Sequence, residues 1–384
     1  MEKKLRKQFE ELFHSVPLMV KSPGRINLIG EHTDYNNGFV LPAAIDKFIL
    51  VAIKKRDDDE IHLYSNEFKE TAATTLQNLT TPGKQWPVYI LGVVDQLQKA
   101  RHKVGGFNLI VDGDVPIGAG MSSSAAVECA SIFALNELFD LGIYKMDMVK
   151  MAQKAEHEFA RVMCGIMDQF ASMFGKEGMV INLDCETLKY EYVPIDLNGL
   201  TILLFDSGVK HSLASSEYNV RRQQCETGVN LVQKGEPQVK SLRNVTMPML
   251  EKYVKDELIF KRCKYVVEEI ARLQIACEDL KNGAMQAFGK KMFATHEGLK
   301  NLYEVSCTEL DVLVDAVKNN PDVLGARLMG GGFGGCTINL VKEAAAEEII
   351  KQTTEKYKQQ TGKDLTTYRV AIKNGTAVLD ENNY

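Results

Sequence analysis

The sequence predicts a two-domain protein of mixed helices and strands, with its site in the cleft between them. Three observations carry this expectation. The length is 384 residues, where one domain takes roughly 100 to 200. A strand, glycine loop, helix unit lies between Phe107 and Leu138, and a second glycine-rich turn, Leu328 to Cys336, feeds a strand in the other half. The boundary is expected near residue 185, giving segments 1–185 and 186–384, with the destination of the last strand left open. A composition of 45% hydrophobic and 25% charged residues excludes disordered, collagenous and coiled-coil chains.

Residues 4–14 suit a short amphipathic helix, and residues 38–55 are strand-rich, interrupted by Pro42. Phe107, Leu109 and Val111 alternate as a half-buried strand does, then run into the turn residues DGDVPIGAG. From Ser122 to Leu138 the period changes. Val127, Ala130, Ala134 and Leu138 recur at spacings of three and four, so a helix starts within or just after the serine run. A second helix is expected from Met148 to about Met163, ended by Gly165. Strands follow at 179–183 and 201–205, helices at about 211–233 and 257–281, and a helical pattern from Met285 to Val317. The turn LMGGGFGGC opens the strand CTINLV, and a charged helix (343–359) and a strand (366–372) complete the chain.

Lys and Arg number 46 against 51 Asp and Glu, a formal net charge of −5, which supplies no electrostatic footprint for nucleic acid. No stretch approaches the roughly 18 apolar residues of a membrane span, and the basic start MEKKLRKQFEELF lacks the apolar run of a signal peptide. A cytoplasmic monomer without nucleic-acid or membrane partners is expected. The eight cysteines are scattered, with no CxxC pair and no zinc spacing, as buried free thiols of a reducing compartment are.

The loop after the Phe107 strand reads Gly118, Ala119, Gly120, Met121, Ser122, Ser123, Ser124. Its glycines allow backbone conformations closed to other residues and bring N–H groups close to an anion, and the following helix points its positive end at the same spot. The hydroxyls add donors and a possible magnesium ligand. This is a phosphate cradle, although it is not the GxxxxGK[ST] loop, since no lysine precedes the serines, nor a GxGxxG loop. The competing reading is a turn shaped by Gly118 and Gly120, with the serines capping the helix.

Residues 22–42, SPGRINLIGEHTDYNNGFVLP, place Arg25, Glu31, His32 and Asp34 within ten positions, in a segment too rich in Gly, Asn and Pro for a regular element. A polar surface loop would account for it. A carboxylate, imidazole, carboxylate grouping is also what replaces the hydration of a polyol or sugar.

This segment resembles the galactokinase signature, essentially unbroken from Gly24 to Pro42. PIGAGMSSSAA resembles the second motif, and LMGGGFGGC the third, of the wider family of galactokinases, homoserine kinases, mevalonate kinases and phosphomevalonate kinases, the GHMP kinases. CGIMDQFAS (164–172) and HSLASSEYNVRRQQC (211–225) resemble further galactokinase segments. The resemblance covers nearly the whole chain. Met121 departs from it, standing where the family more often has leucine, a change that nearly conserves volume.

The resemblance implies an α+β, two-domain GHMP kinase fold, with an N-terminal domain like domain 2 of ribosomal protein S5 and a ferredoxin-like C-terminal domain. It implies galactokinase activity, in which ATP and α-D-galactose give ADP and galactose 1-phosphate by direct in-line transfer, with ATP and Mg2+ as cofactors. Asp168 would be the general base or orient the hydroxyl, with Arg25 beside it keeping the carboxylate ionised and stabilising charge on the phosphoryl group. Ser124 and Glu156 match the family's metal ligands. Glu31, His32, Thr33, Asp34, Gly165, Asp168 and Tyr218 would contact the sugar, and Ser65 with the loop from Gly118 to Ser124 the nucleotide. The third loop, Gly330 to Gly335, would border the phosphates from the second domain. Two alternatives stay open: a kinase for N-acetylgalactosamine or arabinose, and a galactose and ATP sensor without catalysis. Such sensors resemble a chain that has lost a Ser-Ala pair from the second motif, and here Ser124 and Ala125 are present. A mevalonate kinase would share the glycine motifs but not EHTDY.

Overall fold

The computed structural model describes residues 1–209 and 214–379. The start of the helix expected from 211, and the first three residues of HSLASSEYNVRRQQC, lie outside the described residues. The first half runs α1 (Glu2–Phe13), β1 (Leu18–Asn27), β2 (Phe39–Val40), β3 (Pro42–Lys55), β4 (Glu60–Ser65), β5 (Glu70–Thr75), α2 (Val88–Lys99) and β6 (Phe107–Gly113). It continues with α3 (Ser123–Phe139), α4 (Lys145–Ala155), α5 (Met167–Phe174), β7 (Met179–Asp184) and β8 (Tyr190–Pro194). The second half opens with β9 (Leu200–Asp206), α6 (Ala214–Gln233), α7 (Met247–Tyr253), α8 (Glu257–Lys281), α9 (Met285–Gly298) and α10 (Thr308–Val317). It closes with β10 (Val323–Leu328), β11 (Cys336–Lys342), α11 (Ala346–Thr361), β12 (Thr366–Val370) and β13 (Ala377–Val378).

Among the described residues three sheets form, in the orders β13-β1-β3-β6-β4-β5, β10-β11-β9-β12 and β2-β7-β8. Successive residues of a strand face opposite ways, and in β3 both ways are covered. Leu50 and Ala52 join Leu5 and Phe9 of α1, whereas Val51 and Ile53 enter the main core with residues of α2 and α3. That is why β3 is an almost continuous apolar run rather than an alternating one. In the other half, Leu203, Phe205 and Val341 of the second sheet pack with Leu313 and Val317 of α10 and Ile349 and Tyr357 of α11.

The helix after the serine run begins at Ser123, as expected, but it is buried on more than one face. Ala126, Cys129, Ile132 and Leu135 are as buried as Ala130 and Ala134, because α3 lies between the large sheet and α2, α4 and α5. Its N-terminus is thereby fixed at the centre of the first half.

Other expectations are corrected. Segment 22–42 is a regular strand as far as Asn27. β1 sits inside the sheet and accommodates Pro23 and Gly24 at a register shift against β3, where a bulge tolerates a missing N–H. The helix expected over 148–163 is α4 to Ala155, followed by a π turn, Glu156–Ala160. It stops at Arg161, in the left-handed conformation (φ 59°), rather than at Gly165. The helical pattern from Met285 to Val317 is likewise divided by a π turn, Leu299–Tyr303, and left-handed Glu304. The expected last strand is β12, paired with β9, after which the chain crosses back and β13 pairs with β1, Val378 opposite Val20. All eight cysteines are free, five of them buried. Among the described residues no helix is long and apolar enough to cross a membrane.

Candidate active site

Three elements converge on Asp168. Arg25 comes from β1, Ser122 from the loop before α3, and Asp168 from the first turn of α5, not from the loop that the sequence suggested. Arg25 Nε donates to Asp168 Oδ1 at 2.7 Å and Nη2 donates to Oδ2 at 2.9 Å, a two-pronged pair that fixes the carboxylate plane. The third prong, Nη1, donates to the Gly120 carbonyl at 2.5 Å. Burial alone would lower the Arg25 guanidinium, but the Asp168 charge and hydrogen bonds outweigh it and raise it overall.

Ser122 Oγ donates to Asp168 Oδ2 at 2.5 Å. Its backbone is left-handed, φ 57°, an unfavourable state for a residue with a Cβ. Its side chain makes no cap bond to α3. Capping therefore does not account for Ser122; its hydroxyl belongs to the Asp168 cluster. Gly118 and Gly120, with φ of 82° and 77°, supply the loop's left-handed bends.

Arg25, Asp168 and Ser122 line a cavity of about 510 Å³ together with Glu31, His32, Asp34, Gly118, Gly120, Met121, Ser123, Ser124, Glu156, Gly165 and Tyr218. Thus nearly every residue singled out in the sequence reaches one space. Thr33 and Ala119 do not line it. Thr33 is fully buried and spends its hydroxyl on the Gly30 and Phe39 carbonyls, and Ala119 is buried beneath the loop.

Burial, followed by repulsion from Asp168, pushes the Asp34 carboxyl up to about 7. Burial pushes the His32 imidazole down to about 3, so it is neutral. Its Nε2 lies 3.2 Å from the Gly331 carbonyl and its Nδ1 2.8 Å from the Tyr35 hydroxyl. A carbonyl can only accept, so Nε2 carries the proton and Nδ1 accepts from Tyr35. The Tyr218 ring lies 5.3 Å from His32 and 5.1 Å from Tyr35, forming an aromatic wall.

On the opposite wall Ser124 Oγ donates to Glu156 Oε1 at 3.1 Å. The π turn begins at Glu156, and such turns often mark functional positions. Its second oxygen accepts from Gln169 Nε2 at 2.7 Å, and the same nitrogen reaches Glu128 Oε2 at 3.0 Å. Burial and neighbouring carboxylates raise both glutamates above their ordinary range. Two oxygen donors at a cavity wall are the kind of set magnesium takes alongside phosphate oxygens and water.

The third glycine loop closes the cavity from the other half, with Gly330, Gly331 and Gly332 in its lining. It touches the second loop: a Cβ built on Gly335 would lie 3.7 Å from Ala119, and one on Gly120 3.5 Å from the Met329 carbonyl.

A second cavity, of about 400 Å³, shares Tyr89, Ser123 and Ser124 with the first and is lined by Ser65, Trp86 and Val127 among others. Ser65 therefore sits beyond the serine run, away from Asp168. Sequence reasoning missed Trp86 and Tyr89; the signal was the chain's one tryptophan, followed three residues later by a tyrosine. It also missed Gln169, Glu128 and the buried Arg327, whose partners are distant in sequence.

Three family patterns match the chain: the galactokinase galactose-binding signature over residues 7–55, the GHMP kinases N terminal domain over 88–176 and the GHMP kinases C terminal over 276–359. The chain is 42% identical to a galactokinase of Thermosipho africanus, over 94% of this chain and 100% of that one. It is similar to the crystal structure of Lactococcus lactis galactokinase complexed with galactose, with 33% identity and a TM-score of 0.95, covering 98% of this chain and 100% of that one. A mevalonate kinase structure at 22% identity and a TM-score of 0.64, covering 93% and 99%, is alike in fold alone.

Proposed function

The chain belongs to the galactokinases of the GHMP kinase family, ATP-dependent sugar kinases of two-domain α+β fold, and from this premise we propose how its residues move a phosphoryl group from ATP to the C1 hydroxyl of α-D-galactose. The sugar lies over Asp168, with Glu31, His32, Asp34 and Tyr218 receiving its other hydroxyls and Gly165 giving Asp34 room. The carrying observation is the two-pronged Arg25–Asp168 pair, with Ser122 as a third partner, at the floor of a cavity whose one wall carries Glu31, His32, Asp34 and Tyr218 and whose other is a glycine loop.

The sugar oxygen attacks the terminal phosphorus, the bond from that phosphorus to the bridging oxygen breaks, and ADP departs. The hydroxyl proton passes to Asp168. Both oxygens of that carboxylate already accept hydrogen bonds, and the proton moves late, once the hydroxyl has begun to bond to phosphorus. Arg25 lies beside the same atoms and offsets negative charge on the transferring group.

The phosphates lie along Gly118 to Ser124, where free N–H groups and the start of α3 favour anions. The base enters the second cavity, between Trp86, Tyr89 and Ser65. Thr33 and Ala119 act through the backbone alone. Ser124 and Glu156 would hold Mg2+, which when bound neutralises phosphate charge. Gln169 keeps the Glu156 carboxylate turned toward Ser124.

The two-domain division near residue 185 belongs to the same reading. The large sheet draws on residues 18–113 and on β13, the second on residues 200–370, and hairpin β7–β8 rests on β2 at the junction. Free thiols fit a cytoplasmic setting, and a single chain supplies every residue invoked, so a monomer suffices.

The test is ADP release with Mg-ATP against galactose, N-acetylgalactosamine, glucose, arabinose and mevalonate. Turnover on galactose far above the rest is expected. Preference for N-acetylgalactosamine or arabinose would reassign the substrate. No turnover, with galactose and ATP together raising the melting temperature, would make the chain a sensor.

A further inference from the structure

Two consecutive residues of the front segment grip the backbone of two consecutive residues of the third glycine loop. Glu31 Oε1 accepts from the Gly330 N–H at 2.8 Å, and His32 Nε2 donates to the Gly331 carbonyl at 3.2 Å. Arg327, fully buried in β10, locks the first grip. Its Nη1 and Nη2 both donate to Glu31 Oε1 at 3.0 Å. Its other bonds go to the carbonyls of Leu28, Asn27 and Leu328. Every acceptor but Leu328 thus lies in residues 27–31, although Arg327 belongs to the other half of the chain.

Glu31 is divided between two tasks. Oε1 takes the three bonds from Arg327 Nη1, Arg327 Nη2 and the Gly330 N–H, while Oε2 has no hydrogen-bond partner among the described residues, and the side chain lines the site cavity. On its far side the third loop rests against Ala119 and Gly120 of the glycine loop. A buried guanidinium with its donors matched to fixed acceptors is rigid, since shifting any one partner leaves a buried polar group unpaired. Motion of Glu31 is therefore motion of Gly330.

We propose that Arg327 is a positioning residue through which sugar and nucleotide bind cooperatively. The inference rests on the site reading given above. A sugar hydroxyl drawn to Glu31 Oε2 fixes the carboxylate whose other oxygen holds Gly330, and the loop so held shapes the phosphate end of the cavity. Phosphates that order the loop preset Glu31 and His32 for the sugar. Linkage makes the effect reciprocal, with one factor for both ligands.

Calorimetric titration of galactose with and without saturating Mg2+ and a non-hydrolysable ATP analogue, and the reverse titration, reads the coupling as a ratio of dissociation constants. Each ligand is expected to tighten the other by about fivefold or more. Arg327→Lys keeps the charge but loses the planar fork, and brings the ratio toward one. A loosened fold would weaken both ligands without moving that ratio. Independent binding in the unaltered protein, or an undiminished ratio in folded Arg327→Lys, overturns the proposal. If Arg327→Lys does not fold, His32→Phe, which removes the grip on Gly331 and keeps a ring, must lower the ratio; an unchanged ratio overturns the proposal too. Failure of the unaltered protein to bind galactose at all would overturn the site reading instead, so the two failures are distinct.

Discussion

Gly165 and Asp34 are packed so closely that a side chain at 165 cannot coexist with the Asp34 carboxylate: a Cβ built there overlaps Oδ2, Cγ and Cβ of Asp34. The glycine is required by space rather than by a positive φ. Gly165→Ala must therefore push Asp34 out of place. A sugar hydroxyl left without its buried partner costs about 1–3 kcal/mol, so the galactose KM should rise about 5- to 150-fold while the KM for ATP stays nearly constant. An unchanged galactose KM would show that Asp34 does not hold the sugar from this position.

Asp34 also gives the free protein a pH signature. Its carboxyl stands at about 7 in the folded chain against an ordinary 3.8, so between those values the folded state binds more protons than the unfolded one. Its contribution to stability is fully present below the ordinary value and is lost as pH rises through 7. Asp34→Asn removes that loss. In the absence of ligands the variant should melt a few degrees above the parent at pH 7.5, the gap closing toward pH 4, and it should bind galactose poorly. Thermal melts across that range decide it; a gap of equal size at both ends would refute the assignment.

The legible part of the site was the part written in contiguous residues. SPGRINLIGEHTDYNNGFVLP, PIGAGMSSSAA and the Asp168 segment each carry their chemistry locally, and the structure folds most of their polar groups onto one cavity. Misread was the regularity of β1, because Pro23 and Gly24 imitate a loop while the bulge that admits them depends on β3. Arg327 was invisible for another reason. It meets Glu31 across 296 residues, and as a lone arginine at a strand end it has no periodicity to betray it. Gln169 likewise reads as the residue after Asp168 until α5 turns it between two buried glutamates.

Asp168→Asn keeps the shape of the site but removes the proton acceptor and the partner charge of Arg25. General-base removal alone lowers rates by about 10²- to 10⁴-fold, and kcat should fall by at least that much with little change in the galactose KM. Near-normal turnover would leave Asp168 an orienting group at most. Arg25→Lys, which cannot span both carboxylate oxygens, should lower kcat as well, and circular dichroism should confirm that both variants remain folded.

The last prediction separates holding a metal from merely building the wall. Gln169 Nε2 donates to both Glu156 and Glu128, and its side-chain oxygen Oε1 has no partner among the described residues. That imbalance is what a residue shows when its task is to aim a neighbour rather than to satisfy itself. Gln169→Leu leaves Ser124 and Glu156 in place but frees the Glu156 carboxylate to turn away from the cavity. Loss of such an outer partner typically costs about 10- to 100-fold in metal affinity, so the Mg2+ concentration giving half-maximal rate should rise by that factor. Galactose affinity measured without metal should not change, because the Gln169 amide bonds to Glu156, Glu128 and Cys164 rather than to Glu31, His32, Asp34 or Tyr218. If the Mg2+ requirement is unaltered while the protein melts earlier, Gln169 is a packing residue and the Ser124–Glu156 assignment loses its main support.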